Sequence, residues 1–199
     1  LNATNISKIK TETNDTAIGL FVYNTANDFD GGLWRRRCKG TSWFNEPAGA
    51  HRGSRKDFPA IAVIVGTAND IIIYDGDDPN MPMWMEFIST SGQYGAIYDG
   101  RSPLSVVAKN GEIFVADSVD SVVRWNFISD TIKSESSSGR WNSSRNIADR
   151  NPSDSTNLWR NYNSTSVLVA YPLYDIAVTV LSNAPINDAT GLPFPTIAV

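Results

Sequence analysis

Cysteine is almost missing from this 199-residue chain: Cys38 stands alone. That excludes an intrachain disulfide and any zinc cage built from cysteines. Histidine is equally scarce, and no serine elbow, cysteine nucleophile or Ser/His/Asp order assembles around His51. Its setting, "AHRGSR", reads as a loop. No apolar run approaches the ~20 residues that a membrane-spanning helix needs, and no signal-peptide pattern opens the chain. A basic excess is also missing: the net charge is −4, with a sequence pI of about 4.9. A general nucleic-acid binder is therefore not expected. The chain begins with Leu1 and ends in "PTIAV", which reads as a strand interrupted. A processed chain, or a segment of something longer, is expected.

What is present is the composition of a folded protein, 41% hydrophobic and 19% charged. Charge is unevenly spread. Residues 1–56 hold nine Lys and Arg against five Asp and Glu, a balance of +4; residues 57–199 hold eight against sixteen, a balance of −8. Such a chain suits head-to-tail docking, or docking onto a partner of opposite sign.

Strand signals recur almost throughout. "AIGLFVY" (17–23), "AIAVIV" (60–65), "DIIIY" (70–74) and "PMWMEFI" (82–88) are short β-branched or aromatic runs separated by Gly, Asn, Asp or Pro. "LSVVAKNGEIFVAD" (104–117) predicts a hairpin, because Asn110-Gly111 suits a two-residue type I′ turn. In "SVVRWNFI" (121–128), alternation places Val123, Trp125 and Phe127 on one face and Arg124 and Asn126 on the other. "SVLVAYPLYDIAVTVL" (166–181) predicts two more strands, broken near Pro172. "AIAVIV" is apolar at every position, which predicts cover on both faces. No segment sustains a 3.6-residue period over three turns; "SRNIADR" (144–150) is the best helical candidate. The Ser-, Asn- and Asp-rich stretch at about 129–165 reads as a polar loop or lobe.

Strands joined by turns, without crossover helices, predict an all-β fold of antiparallel sheets. Residues 60–88 and 103–128 each read as a meander of three or four strands. The expectation over 1–199 is therefore one all-β domain, or a segment of a larger one, of blade-like and β-propeller-like sheets. A β-sandwich is the alternative.

Several residue groups carry candidate chemistry. Asp75, Asp77 and Glu86 fall at ligand positions 1, 3 and 12 of a calcium loop, but Pro79 and Asn80 replace the required oxygen donor and glycine. An extended chain also carries Glu86 about 13 Å beyond Pro82. A turn built by Asx side chains is the better reading, with a looser cation site of Asp75, Asp77 and Asp78 as the alternative. The cluster Arg35, Arg36, Arg37 and Lys39, followed by Arg52, Arg55 and Lys56, is either an interface for an acidic neighbour, phosphate or acidic glycan, or a solvated strand edge. Cations beside Cys38 favour its thiolate, although no partner base can be argued, so a small strand residue is expected. The pairs Asp28/Asp30 and Asp117/Asp120 could serve a glycosidase, but Asp-rich turns produce such pairs readily. Of six tryptophans, Trp125 is expected in the core, and Trp141 and Trp159 at the surface. Sequons at Asn2, Asn5, Asn14, Asn142 and Asn163 carry little weight in so Asn-rich a chain.

The segments "DGGLWRRRCKGTSWFNEPAGAHRGSRKDFPAIAVIV" and "IYDGDDPNMPMWMEF" resemble a stretch of large virion structural proteins of marine tailed bacteriophages. "IADRN" and "DIAVTVLSNAPINDATGLPFPTIAV" are similar to the same family, so the likeness covers most of residues 17–199. The resemblance implies a non-enzymatic virion component, tail or tail-fibre associated, located in the virion, with no cofactor and no catalytic residues to carry over. It implies other virion subunits as partners, in a symmetric homo-oligomer, with host attachment through a surface glycan as a further role. In that chain usually running on past this point, "PTIAV" would pair with following residues. A carbohydrate-binding or carbohydrate-cleaving module and a calcium-stabilised extracellular adhesin are the alternatives.

Overall fold

A computed structural model describes residues 7, 17–88, 102–151, 159–163, 165 and 173–199. Two antiparallel meanders dominate it. The first runs β1 (Gly19–Asn24), β2 (Ile61–Gly66), β3 (Asp70–Asp75) and β4 (Met83–Ile88), in that spatial order. The second contains β5 (Pro103–Lys109), β6 (Glu112–Asp117), β7 (Ser121–Asn126), β8 (Thr131–Ser136), β9 (Gly139–Ser143) and β10 (Trp159–Asn163), also in sequence order. Two short pairs follow: β11 (Ala177–Thr179) with β14 (Thr196–Ala198), and β12 (Ile186–Asn187) with β13 (Leu192–Pro193). The protein is all-β, as its punctuated apolar runs predict.

Side-chain alternation sorts the first sheet into two apolar faces. Ala62, Ile64, Ile71 and Ile73 join the central core, whereas Val63, Val65, Ile72 and Tyr74 form a second cluster with Met81. Every residue of β2 after Ile61 is buried, so "AIAVIV" is indeed covered on both faces. The second sheet repeats the arrangement. Val106, Ile113, Val115, Val123 and Trp125 face the central core, while Phe114, Ala116 and Val122 pack with Leu173 and Ile176. The central core thus lies between the two meanders. Phe87 of β4 and Trp125 of β7 stack across it, ring centroids 3.7 Å apart and nearly parallel.

Turn chemistry sets the register of the second sheet. Asn110 and Gly111 have φ of 54° and 72°, the left-handed pair that a type I′ turn requires, and Lys109 lies opposite Glu112. Alternation along β7 holds: Val123 and Trp125 point into the core with Phe127 beyond them, and Arg124 points away to Glu112 and Glu135.

Three expectations need correction. The run "LWRRRCKG" is not a strand edge but a 3₁₀ helix (Leu33–Gly40), followed by a one-turn α-helix (Ser42–Asn45). Only Trp34 and Cys38 of the 3₁₀ helix are buried, which is too little apolar content for a legible period. Residues 144–150 form bends and turns, because the N–H of Ile147 goes to Asp130 and its carbonyl accepts from Arg150. Among its described residues, the polar stretch 129–165 is not a continuous loop: it contributes β8, β9 and β10. In β8, Ile132, Ser134 and Ser136 alternate inward, and hydroxyls small enough for tight packing made a strand look like a linker. Thr196–Ala198 of "PTIAV" forms β14 and pairs on one side with β11. Of the strands expected in 166–181, β11 is observed, and residues 166–172 lie outside the described residues.

Trp125 is fully buried, as expected; Trp141 is half-buried and packs against the same core instead of standing at the surface. Trp125→Ala is expected to cost about 3–5 kcal/mol in urea unfolding, the range for truncating a buried aromatic. Trp141→Ala is expected to cost distinctly less, and equal losses would contradict this account of the core.

Candidate interaction surface

The basic helix presents its cations unequally. Arg35 turns back, donating to the Gly32 carbonyl at 3.3 Å and the Phe58 carbonyl at 3.1 Å. Arg37 pairs with Asp30 at 3.1 Å. Arg36 and Lys39 are exposed, and their side chains make no hydrogen bond or ion pair among the described residues. The four residues share one short helix, and two of them remain available to a neighbour. Cys38 faces inward, and burial pushes its thiol up to about 12, so the adjacent cations do not create a reactive thiolate.

Arg52, grouped by sequence with the surface cations, is one of two buried arginines sharing one carboxylate. Arg150 Nη1 lies 2.8 Å from Glu46 Oε2, and Arg52 Nε lies 3.7 Å from the same oxygen. Backbone carbonyls accept from the other guanidinium nitrogens, while Arg52 Nε makes no hydrogen bond among the described residues. Arg150 reaches Glu86 at 2.7 Å and His51 at 2.6 Å; Arg52 reaches Trp84 at 2.9 Å and Lys56 at 3.1 Å. The Arg52 guanidinium also sits 4.6 Å above the Trp84 ring. Burial, with Arg150 adding repulsion against the pull of Glu46, lowers Arg52 to about 10. Residues 49–53 consequently run along β4, where Arg52 bridges to Met85 and the Gly53 N–H donates to the Trp84 carbonyl. A Cβ on Gly53 would lie 2.2 Å from the Met83 carbonyl oxygen, so only glycine permits this approach.

The acidic turn after β3 is held by an arginine. Arg55 Nη1 lies 2.6 Å from Asp75 and 2.8 Å from Asp77, and Asp77 also accepts from the N–H groups of Ala60 and Ile61. Asp78 accepts from Asn80 N–H at 2.8 Å. Each aspartate is spent on the turn, as the Asx reading anticipates. Glu86 is elsewhere, 2.7 Å from His51 on the outside of β4. Burial alone would raise the Asp77 carboxyl, but the two backbone donors and Arg55 outweigh it and hold it below its ordinary range.

The candidate glycosidase pairs are also engaged. Asp28 is buried, accepting from Tyr23 Oη, Trp34 Nε1 and the Asn110 N–H, while burial pushes its carboxyl up. Asp30 holds Arg37, Asp117 caps the N–H groups of Val119, Asp120 and Ser121, and Asp120 accepts from Ser137. The side chain of Trp159 and the sequons at Asn2, Asn5 and Asn14 lie outside the described residues.

A feature that the sequence reading missed lies on β1. Its inward residues, Phe21 and Tyr23, reach the core, but Ile18, Leu20 and Val22 are 42–51% exposed, and Ile61 beside them is 37% exposed. The alternating run was legible; that both of its faces are apolar, one without cover, was the available signal.

Three outcomes follow from these geometries. Glu46→Gln leaves two buried guanidiniums without a counter-charge and is expected to cost about 3–5 kcal/mol in chemical denaturation. For Asp77, whose folded pKa is depressed, the stabilisation is present above the unfolded value of about 3.9 and is lost as pH falls through the lower folded value. Asp77→Asn is therefore expected to flatten the acid limb of stability against pH. Because Arg55 already holds Asp75 and Asp77, calcium is expected to leave the wild-type Tm unchanged; a calcium-dependent rise would overturn the assignment.

No family model matches the chain, and no curated protein or solved structure matches it.

Proposed function

We propose that this chain is a non-enzymatic structural module of a phage virion, tail or tail-fibre associated, which works by packing against neighbouring subunits. The observation that carries the assembly role is the uncovered apolar row Ile18, Leu20, Val22 and Ile61 at the edge of the first sheet. Edge strands that must stay monomeric are blunted by charge, proline or bulges. Here Leu20 and Val22 of the edge strand, with Ile18 just before it and Ile61 on β2, instead offer four large exposed aliphatic side chains, the chemistry of an interface core. Arg36 and Lys39 provide cations for an acidic neighbour, and the acidic balance of residues 57–199 makes a second copy of the chain such a neighbour. The virion setting rests on the likeness of the long motifs around residues 30–88.

The sheets are proposed to be blade-like. Both meanders begin on adjacent strands: a Cβ placed on Gly19 of β1 would lie within ordinary van der Waals distance of Leu104 and Val106 of β5. First strands of successive propeller blades meet in this way around an axis. In such a packing the free side of β1 faces the next blade, whether that blade comes from the same chain or another.

The reading predicts self-association of the wild type at micromolar concentrations in analytical ultracentrifugation. Leu20→Lys/Val22→Lys is expected to sediment as a monomer with little change in thermal unfolding, since both side chains are already half-exposed. A wild type that stays monomeric at the highest soluble concentration would overturn the interface, and absence of the chain from purified particles by mass spectrometry would overturn the virion setting.

A further inference from the structure

We propose that a cleft on the other side of the β5–β6 hairpin binds a small carboxylate with an apolar body. The cleft has a volume of about 360 Å³ and lies between residues 27–29, the end of β5 and the connection from β11 to β12. That volume is within the range of small-molecule sites, which combine apolar walls with a few convergent polar groups. Here Phe29, Val180, Leu181 and Ile186 line an apolar wall, and Lys109 is the cation among the lining residues.

Two observations point to a ligand. Phe29 is 66% exposed, and Leu181 and Ile186 are each just over half exposed, so three large apolar side chains converge on one cleft with their surfaces wet. Covering them would remove apolar area from water. Lys109 also has capacity left: its Nζ donates to the Asn27 carbonyl at 2.5 Å and makes no ion pair among the described residues. An ammonium carries three donors, so two remain. Asp28, the acidic group that acts on Lys109, already accepts from Tyr23, Trp34 and Asn110. The ammonium is anchored on one side and open on the other.

Charge number selects the class. One ammonium complements a monoanion, while a phosphate dianion is typically held by several donors or by the fork of an arginine, and no arginine lines the cleft among the described residues. The apolar wall selects a hydrocarbon body over a polyhydroxylated one. The hydroxyls of Thr179 and Ser182, also in the lining, offer the second carboxylate oxygen a partner. The proposal does not rest on the assembly reading, whose residues are on β1 and the basic helix.

Amide-resolved NMR titration of the whole chain tests it with 4-phenylbutyrate, its neutral amide and inorganic phosphate. Phenylbutyrate is expected to give saturable shifts at Phe29, Leu181 and Ile186 in the millimolar range, with the amide about tenfold weaker, as for the loss of one modest charge pair. Lys109→Met keeps the aliphatic stem and should bring phenylbutyrate down to the affinity of the amide; Leu181→Ser should weaken both. The absence of saturable shifts, equal binding of acid and amide, or equal binding of phosphate would each overturn the proposal. Saturable binding of glucuronate in preference to phenylbutyrate would overturn the apolar-body assignment. Loss of self-association in Leu20→Lys/Val22→Lys should leave these titrations unchanged, which separates failure of one reading from failure of the other.

Discussion

The Glu46 carboxylate, shared by Arg52 and Arg150, is the interaction on which the arrangement around β4 depends. Burying two guanidiniums is costly, and one carboxylate offsets only part of the charge. The remainder is met by backbone carbonyls from Trp84 and Glu86 on β4, from His51 and Lys56, and from Ile147. Two side chains therefore gather three stretches separated by up to 104 residues. The exposed edge of β4 is covered as a consequence, since residues 49–53 are drawn alongside it. A hydrophobic replacement of similar volume could fill the space but would not fix those carbonyls relative to one another.

At the opposite edge of the first sheet, Asp28 does comparable work with a negative charge. Its two oxygens take donors from β1, from the basic helix and from the β5–β6 turn, through Tyr23, Trp34 and Asn110. Tyr23 Oη in turn accepts from the Gly111 N–H at 2.8 Å. The turn that sets the register of the second sheet is thus tied to the first strand of the first sheet. Both meanders are braced to each other by buried polar groups at their margins and by Phe87 on Trp125 in between.

Much of this was legible where one residue type dictates one local geometry. Asn110-Gly111 announces its turn, the unbroken apolar run of β2 announces cover on both faces, and the alternation through Trp125 announces the inward face of β7. The acidic turn was legible as a turn because Asp and Asn bond their own backbone, though its clamp by Arg55, twenty residues away, was not. Illegibility begins where burial depends on distant partners. Ser134 and Ser136 are strand residues only because β7 and β9 flank them. "LWRRRCKG" carries too few apolar residues to show a period, and its placement follows from Trp34 reaching Asp28. Nothing local distinguishes Arg52, buried, from Arg36, exposed three residues into a helix; the difference is made by Glu46 and Trp84.

That contrast bears on how the surface should be read. Of the cations that the sequence groups together, Arg35 and Arg52 donate to backbone carbonyls, and Arg37 and Arg55 pair with aspartates. Counting arginines therefore overstates the basic surface, and the cations left, Arg36, Lys39 and Lys56, are weak anchors when exposed and screened by salt. The apolar row along β1 still has about half of each side chain to desolvate, roughly 0.7–1.5 kcal/mol per residue once covered, against about 0–1 kcal/mol for an exposed ion pair. An interface built from both would draw its affinity from Leu20 and Val22 and its orientation from the cations, which is the division of labour that charge complementarity generally follows.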